Sequence, residues 1–223
     1  MIWKKVTDLL SYTNRENLLI VYGTNKLVDF LPICDLITSD EIAYSEGLRG
    51  EGQKNTWLSC RAALRLALGF YLSKKPIEIE LRKSRFGKLF TADADIFFNV
   101  SHSKHAFLLG FNPGGRIGID IELMNGSEDL PSLVTYAFST AEANYYRNGE
   151  GAKRFAEIWT LKEAFLKAVG VGLVNDLTSI TVTGESQNYI ARYHLKQKSF
   201  LCPNGETGSV VYRNNKPLEF IEM

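Results

Sequence analysis

The stretches IGIDIE, residues 117–122, and WTLKEAFLK, residues 159–167, decide how the chain folds, and the rest of the sequence can be interpreted outward from them. The first alternates apolar and polar side chains with period two, which predicts a strand with isoleucines on one face and two carboxylates on the other. The second has helical spacing, which places Glu163 and Lys167 four residues apart on one helix face. If that face meets the polar face of the strand, three carboxylates and an ammonium converge.

The three acidic residues in question are Asp120, Glu122 and Glu163. Clustered carboxylates repel one another unless they share a cation, and an all-oxygen set suits Mg²⁺, which completes its octahedron with phosphate oxygens and water. Taken singly, each residue has an ordinary explanation. A Glu163–Lys167 pair on a helix surface, for example, is worth only about 0.3–0.5 kcal/mol. Taken together, they predict a magnesium–phosphate site.

The composition limits the classes of protein to be considered. The chain has 223 residues and is 45% hydrophobic, which is enough to bury the core of one domain or of two small ones. No run reaches the length of a membrane-spanning helix, and the start of the chain lacks a signal-peptide pattern. Cys34, Cys60 and Cys202 fit neither a zinc motif nor a disulfide framework, and the net charge of +1 is unlike that of a nucleic-acid binder. We expect a cytoplasmic protein without membrane or nucleic-acid partners.

A dense turn signal, Asn-Pro-Gly-Gly at residues 112–115, divides the chain into an N-terminal half, 1–113, and a C-terminal half, 114–223. Periodicity in the first half predicts a helix at about 56–72, a strand at 77–81, and a hairpin of strands 96–100 and 105–111. In the second half it predicts a strand at 117–123, a helix begun by a Ser139/Glu142 capping box, a helix at about 154–169 closed by Gly170, and strands near 178–183, 189–195 and 208–213. The predicted fold class is α+β, in two halves of similar size.

Four segments together resemble one protein family. IGIDIE and WTLKEAFLK are similar to the two signature motifs of the 4′-phosphopantetheinyl transferases of the larger, surfactin-synthetase-activating type. The segment FNVSH, 98–102, resembles the family's Asn-Ser-His turn, and FGK, 86–88, resembles its Gly-Lys-Pro loop, with Leu89 in place of the usual proline. The four segments follow the family's order. The resemblance implies a monomeric pseudo-dimer of two similar α+β subdomains, each a small antiparallel sheet packed with helices.

The reaction that this resemblance implies is transfer of phosphopantetheine from coenzyme A to a serine of an apo acyl or peptidyl carrier protein, which leaves adenosine 3′,5′-bisphosphate. Asp120, Glu122 and Glu163 would hold Mg²⁺ against the pyrophosphate, and Lys167 would stabilise charge on the same phosphates as the bond breaks. Glu163, directly or through a bound water, is the expected acceptor of the serine proton.

The resemblance also implies contacts to coenzyme A. Ser101 and His102 are expected at its phosphates, with His102 near the 3′-phosphate. Gly87 and Lys88 are expected at the adenine end, and Arg61 is a looser match to a 3′-phosphate ligand.

A surface for the carrier protein is expected in the second half of the chain. Phe138 and the predicted apolar helix face near Tyr145 and Tyr146 could receive a helix of the carrier. Packing into the core of the protein explains these three aromatic residues equally well.

Two functions of other classes remain open. An Asp-x-Glu strand followed by Glu-x-x-x-Lys also fits a metal-dependent nuclease or phosphodiesterase, although the near-neutral charge and the Ser-His turn count against it. A catalytically silent protein that binds coenzyme A or a carrier domain is the non-enzymatic alternative. The clustered carboxylates count against a silent protein, because binding alone does not require their mutual repulsion.

Overall fold

The structure, a computed structural model, describes residues 2–6, 15–92, 96–124, 129–172, 176–184 and 188–223. These residues form an α+β fold, as the sequence predicts, with small sheets packed against helices. The helices are α1 (Ile33–Leu36), α2 (Ser39–Glu46), α3 (Glu51–Leu72), α4 (Leu130–Ala137), α5 (Thr140–Arg147), α6 (Gly151–Val169) and α7 (Tyr189–Arg192). The strands are β1 (Lys4–Lys5), β2 (Leu18–Thr24), β3 (Leu81–Lys83), β4 (Leu89–Thr91), β5 (Ile96–His102), β6 (Ala106–Pro113), β7 (Ile117–Glu122), β8 (Lys196–Leu201), β9 (Thr207–Tyr212) and β10 (Leu218–Glu222). Within the described ranges, no helix is both long enough and apolar enough to cross a membrane.

A five-stranded sheet in the order β1-β10-β2-β6-β5 forms the first layer, and α3 packs on one of its faces. Its strand β2 is buried on both faces: Leu19 and Val21 join the core under α3, whereas Leu18 and Ile20 join a second core on the other side. A strand covered on both sides shows no alternation of polar and apolar residues, and periodicity therefore fails to predict it. The predicted hairpin is confirmed as β5 and β6, which pair antiparallel.

A three-stranded antiparallel sheet in the order β7-β9-β8 forms the second layer, and α6 packs on it. The predicted start of α5 and the predicted end of α6 are confirmed. Ser139 accepts from the amide of Glu142 while Glu142 accepts from the amide of Ser139, a complete capping box at the start of α5. Helix α6 ends at Gly170, which has a φ of 81° in the left-handed region that glycine tolerates.

The two sheets meet along β5 and β7, where a buried side chain joins them. The side-chain oxygen of Asn99 on β5 accepts a hydrogen bond of 2.9 Å from the amide of Ile119 on β7. Strand β10, which comes from the second predicted half, pairs with β2 of the first. The division of the chain after residue 113 stays a prediction.

The predicted strand at 77–81 is wrong. Pro76–Glu78 form a 3₁₀ turn, and the strand begins only at Leu81. The buried guanidinium of Arg65 donates 2.7 Å and 3.0 Å hydrogen bonds to the carbonyl oxygens of Pro76 and Ile79. A side chain from α3 thus takes the carbonyl groups that strand pairing would use.

The predicted strand at 178–183 is wrong for a similar reason. A 3₁₀ turn begins there, because the carboxylate of Asp176 accepts a 3.0 Å hydrogen bond from the amide of Thr178. Further along, the amide of Val182 donates to the buried carboxylate of Glu142, at 2.8 Å. Side chains again replace a neighbouring strand as partners of the backbone.

The predicted strand at 189–195 is also wrong, and the strand of that region starts later. Asn188 accepts a 2.8 Å hydrogen bond from the amide of Ile190 and begins the short helix α7. Strand β8 follows from Lys196 and pairs with β9, which confirms the prediction of a strand near 208–213. Asparagine is a strong helix N-cap, and here it overrides the β-propensity of the residues that follow it.

Candidate active site

Strand β7 and helix α6 touch through their backbones, and Gly118 makes this contact possible. A Cβ atom on Gly118 would lie 2.0 Å from the carbonyl oxygen of Ala164 and 2.3 Å from the amide nitrogen of Ala168. Any other residue at 118 would push the helix away from the strand. The close approach sets the polar side of β7 beside the helix face that carries Lys167.

A buried cluster lies where β5, β7 and α6 meet. The ammonium of Lys167 donates 2.6 Å to Asp120 Oδ1 and 3.0 Å to Ser101 Oγ, and Ser101 Oγ donates 2.7 Å to the same Asp120 oxygen. Asp120 is only 4% exposed. Its second oxygen, Oδ2, is buried and has no hydrogen-bond partner among the described residues. Such a carboxylate oxygen is available to a cation, because a buried acceptor left without a donor or metal is costly.

Glu163 lies next to this cluster and responds to its charges. Burial raises the pKa of Glu163 above its ordinary value, the Asp120 carboxylate raises it further, and Lys167 partly opposes the shift. Two of the three predicted carboxylates and the predicted ammonium are therefore neighbours. Over the ranges that the structure covers, no three Asp, Glu, His or Cys side chains form a ready-made metal-binding group.

Two cavities border the cluster region. A cavity of about 320 Å³ is lined by Glu163 and Lys167 from α6 and by Gly87 and Lys88 from the loop before β4. A larger cavity, of about 830 Å³, has polar and charged lining residues from both predicted halves, namely Arg49, Gln53, His102, Lys104 and Glu122. The residues predicted for the nucleotide and the metal are thus distributed between two neighbouring cavities.

Comparison with known proteins finds a similarity over part of the chain. Residues 116–214, which include β7, α6 and β9, match the family model of the 4′-phosphopantetheinyl transferase superfamily. This segment of the chain is similar to that superfamily.

Similar proteins align over more of the chain than the segment that matches the family model. A Synechocystis sp. protein named as a candidate 4′-phosphopantetheinyl transferase is 32% identical over 65% of this chain and 61% of its own length. The 4′-phosphopantetheinyl transferase HetI of Nostoc sp. is 32% identical over 61% of each chain. A phosphopantetheinyl transferase of Thraustochytrium sp. is 32% identical over 66% of this chain and 57% of its own. The chain therefore spans about three fifths of the length of these relatives.

The loop that resembles the Gly-Lys-Pro segment is joined to β7 and α6 by Lys88. Its ammonium donates 2.9 Å to the carbonyl oxygen of Ile117 and 2.6 Å to that of Lys167. Burial lowers the pKa of Lys88 to about 8, and the positive charges of Arg116 and Lys167 lower it as well. Lys88 borders the smaller cavity, but its charged end faces the backbone of β7 and α6. Gly87, with a φ of 80°, supplies the left-handed turn that reverses the loop.

His102 and Glu122 face the larger cavity together. His102 is the last residue of β5, whereas the sequence predicted it in the turn, and its side chain is exposed. The predicted contact of His102 to the 3′-phosphate of coenzyme A stays a prediction. Lys104 lines the same cavity and brings a positive charge that suits a phosphate.

Arg61 forms contacts inside the protein. Its guanidinium lies 3.3 Å from the Glu41 carboxylate and 5.0 Å from the centre of the Trp57 ring, and the side chain is 12% exposed. Burial lowers the pKa of Arg61, and Glu41 opposes that shift. Trp57 itself lines the larger cavity. Arg61 thus supports a cavity wall, and its predicted contact to a 3′-phosphate stays a prediction.

The three aromatic residues considered for carrier docking separate into core and surface. Phe138 is buried and stacks on Phe155 with 5.1 Å between ring centroids, so the core explanation holds for it. Tyr146 also packs against this core. Tyr145 is 46% exposed, with the guanidinium of Arg154 over its ring, and remains available for a surface role.

Three residues with clear positions in the site were missed by the sequence reasoning. Arg49 and Lys104 line the larger cavity, and Asn99 joins β5 to β7. Asn99 could have been found, because it stands inside the FNVSH segment. Arg49 and Lys104 offered no local signal, since a single basic residue in a loop is ordinary.

Proposed function

We propose that this protein transfers the 4′-phosphopantetheine group from coenzyme A to a serine of an apo acyl or peptidyl carrier protein and releases adenosine 3′,5′-bisphosphate. The observation that supports this most is the Asp120–Ser101–Lys167 cluster with Glu163 beside it. Asp120, Glu163 and Lys167 lie in the segment that is similar to the phosphopantetheinyl transferase superfamily. We also propose that it is of the larger type and acts as a cytoplasmic monomer. The alignments to the relatives extend beyond the domain match, which supports the larger type.

The donor set of the cluster fits a magnesium ion. Mg²⁺ is usually bound by one or two protein carboxylates together with substrate phosphates and water, so a ready-made cage of three side chains is not required. Asp120 has a buried oxygen without a partner, and Glu163 is its acidic neighbour. These two residues would hold the ion, with Glu122 as the predicted third ligand. When bound, the ion would neutralise pyrophosphate charge as a Lewis acid.

The bond changes in the proposed reaction assign a task to each side chain. The serine oxygen of the carrier attacks the phosphorus of the pantetheine phosphate, and a new P–O bond forms. The bond to the adenosine 5′-phosphate breaks, and the bisphosphate leaves with the electron pair. Glu163 accepts the proton of the serine, directly or through a water, and Lys167 stabilises the charge that builds on the phosphate oxygens.

The larger cavity is the proposed site for the phosphate-rich end of coenzyme A. Its polar and basic residues include Arg49, His102 and Lys104, which suit the 3′-phosphate. Ser101, the residue before His102, already contacts Asp120 and Lys167, and so connects this cavity to the reacting centre. We keep Gly87 and Lys88 as proposed neighbours of the adenine end, with the backbone of the loop rather than the Lys88 ammonium making the contact.

Intact-mass measurement tests the proposed function directly. The protein is incubated with coenzyme A, Mg²⁺ and several apo carrier proteins, one pair of which differs only in an alanine at the acceptor serine. The expected result is addition of phosphopantetheine to at least one carrier and none to its alanine variant. Failure to modify any carrier of the fatty-acid, polyketide or nonribosomal-peptide type would contradict the proposal.

A further inference from the structure

A buried ion pair holds the helix that carries the proposed catalytic residues. The ammonium of Lys162 lies 2.5 Å from Glu142 Oε2, and the side chains are 3% and 0% exposed. The same ammonium donates to the carbonyl oxygen of Ile180. Lys162 directly precedes Glu163, yet it points away from the cavities and into the protein, so the proposed reaction makes no use of it.

The carboxylate of Glu142 connects three parts of the fold. Besides Lys162 on α6, it accepts a 2.9 Å hydrogen bond from the amide of Ser139 at the start of α5. Its other oxygen accepts 2.8 Å from the amide of Val182 in the segment that follows α6. The pair therefore ties α6 to the beginning of α5 and to the 180–182 segment at a single buried point.

The position of this pair around the helix is informative. Successive residues of an α-helix are turned by about 100°, so Lys162 occupies one side of α6 and Ala164 and Ala168 occupy a side about 200–240° further round. That second side is fixed by the backbone contact to Gly118. Glu163 and Lys167 lie at about 100–140°, between the two fixed sides.

Hydrophobic packing alone would fix the rotation of α6 about its axis less firmly than this ion pair does. Apolar contacts are non-directional, and replacing a buried ion pair by well-packed apolar residues is often neutral or stabilising. What a fully bonded pair adds is direction, because its hydrogen bonds are satisfied in one arrangement only. We infer that Lys162 is a positioning residue: its bond to Glu142 fixes the rotation of α6 and so directs Lys167 toward Asp120.

Lysine labelling measures this positioning without any substrate. In the wild type, Lys167 is 28% exposed and bonded to Asp120, whereas Lys153 on the same helix is 68% exposed. A brief acylation should therefore label Lys153 faster than Lys167. The double variant Lys162→Met/Glu142→Gln removes both charges together and leaves an acceptor for the amide of Val182. We expect Lys167 to be labelled several-fold faster in it, as read by peptide mass spectrometry.

The matched control is Lys153→Met, the same substitution in an exposed ion pair of α6. It should leave the labelling of Lys167 and the melting temperature unchanged. If the double variant melts like the wild type and its Lys167 is labelled at the wild-type rate, the inference is overturned. Should the double variant fail to fold, Lys162→Gln/Glu142→Gln, which also removes both charges but keeps hydrogen-bonding groups on both side chains, should give a smaller increase, and an unchanged rate in it would equally overturn the inference.

Kinetics supply the second readout, which rests on the proposed function. Misplacement of a catalytic group by about 1 Å costs on the order of 10² in rate. The double variant should therefore lose about 10–100-fold in kcat, with KM for coenzyme A within about threefold of the wild type. Full kcat in a stable double variant would show that the pair is only structural. A wild type that modifies no carrier would refute the proposed function, and the labelling experiment would still decide the positioning.

Discussion

The variant Gly118→Ala tests whether the backbone contact between β7 and α6 builds the site. An added Cβ would stand 2.0 Å from the carbonyl oxygen of Ala164, whereas ordinary contacts begin at 3.4 Å. The shortfall is about 1.4 Å, and the opposing atoms belong to the backbone, which cannot rotate away as a flexible side chain would. The strand and the helix must separate.

The size of the effect follows from this distance. Overpacking a close-packed interior costs about 1–3 kcal/mol, and a clash with backbone on both the Ala164 and Ala168 sides belongs at the upper end. For a chain of this length, 3 kcal/mol lowers the melting temperature by roughly 6–12 °C. The separation also moves Asp120 away from Lys167 by on the order of 1 Å, which corresponds to about 10²-fold in transfer rate.

Two measurements give the readouts. The first is thermal melting, and the second is phosphopantetheine transfer at a temperature roughly 20–25 °C below the melting point of the variant, where the variant remains folded. Gly47→Ala is the control, because its added Cβ would meet the Tyr44 carbonyl oxygen at an ordinary 3.5 Å, and it should change stability by less than about 0.5 kcal/mol. If Gly118→Ala melts and transfers like the wild type, the close contact does not exist and the geometry of the site is wrong.

Four further perturbations test individual parts of the account. Lys167→Met should lower kcat by about 10²–10³ with a smaller change in coenzyme A affinity, and near-normal turnover at saturating coenzyme A would remove Lys167 from the site. His102→Ala should weaken binding of coenzyme A more than that of dephospho-coenzyme A in titration calorimetry, and equal losses would exclude the 3′-phosphate contact. Because burial lowers the pKa of Lys88 to about 8 from 10.5, the unfolded chain binds more protons between these values. The burial penalty is fully present below about pH 8. Urea unfolding should therefore show the wild type gaining stability relative to Lys88→Met as the pH rises from about 8 to 10, by at most about 1.4 kcal/mol per pH unit. A stability difference that stays constant with pH would argue against a desolvated ammonium. A chelator should stop transfer and Mg²⁺ should restore it, and full turnover in metal-free buffer would contradict the proposed ion.

The central strand and helix of the site were predictable because each has a regular residue pattern, although β7 is buried on both faces. In β7 the alternation of IGIDIE reports the sheet directly, and in α6 the helical spacing and the terminal Gly170 report its length and end. These two elements also carry the proposed site residues, and their periodicities predict that Asp120 and Lys167 lie together if the polar face of the strand meets that face of the helix. The hydrogen bond of 2.6 Å between them bears out that placement.

The wrong strand predictions at 77–81 and 178–183 have a different physical origin. The segments at 77–81 and 178–183 look like strands locally, but their backbone groups are bonded to Arg65, Asp176 and Glu142. Arg65 and Glu142 lie on other helices, and no local pattern reports a side chain that arrives from a distant part of the chain. The buried Lys162–Glu142 pair was missed for the same reason, since a lysine in a helix is normally a surface residue.

The central claim is that the cluster of Asp120, Glu163 and Lys167 performs phosphopantetheine transfer. Its most direct test is the rate of carrier modification by Glu163→Gln at saturating coenzyme A, measured beside coenzyme A binding by titration calorimetry. The substitution keeps the shape of the side chain, removes its ability to accept the serine proton and weakens its hold on the proposed ion. We predict a fall of about 10²–10⁴ in rate with binding changed only a few-fold. A Glu163→Gln protein that modifies the carrier at close to the wild-type rate would contradict the claim.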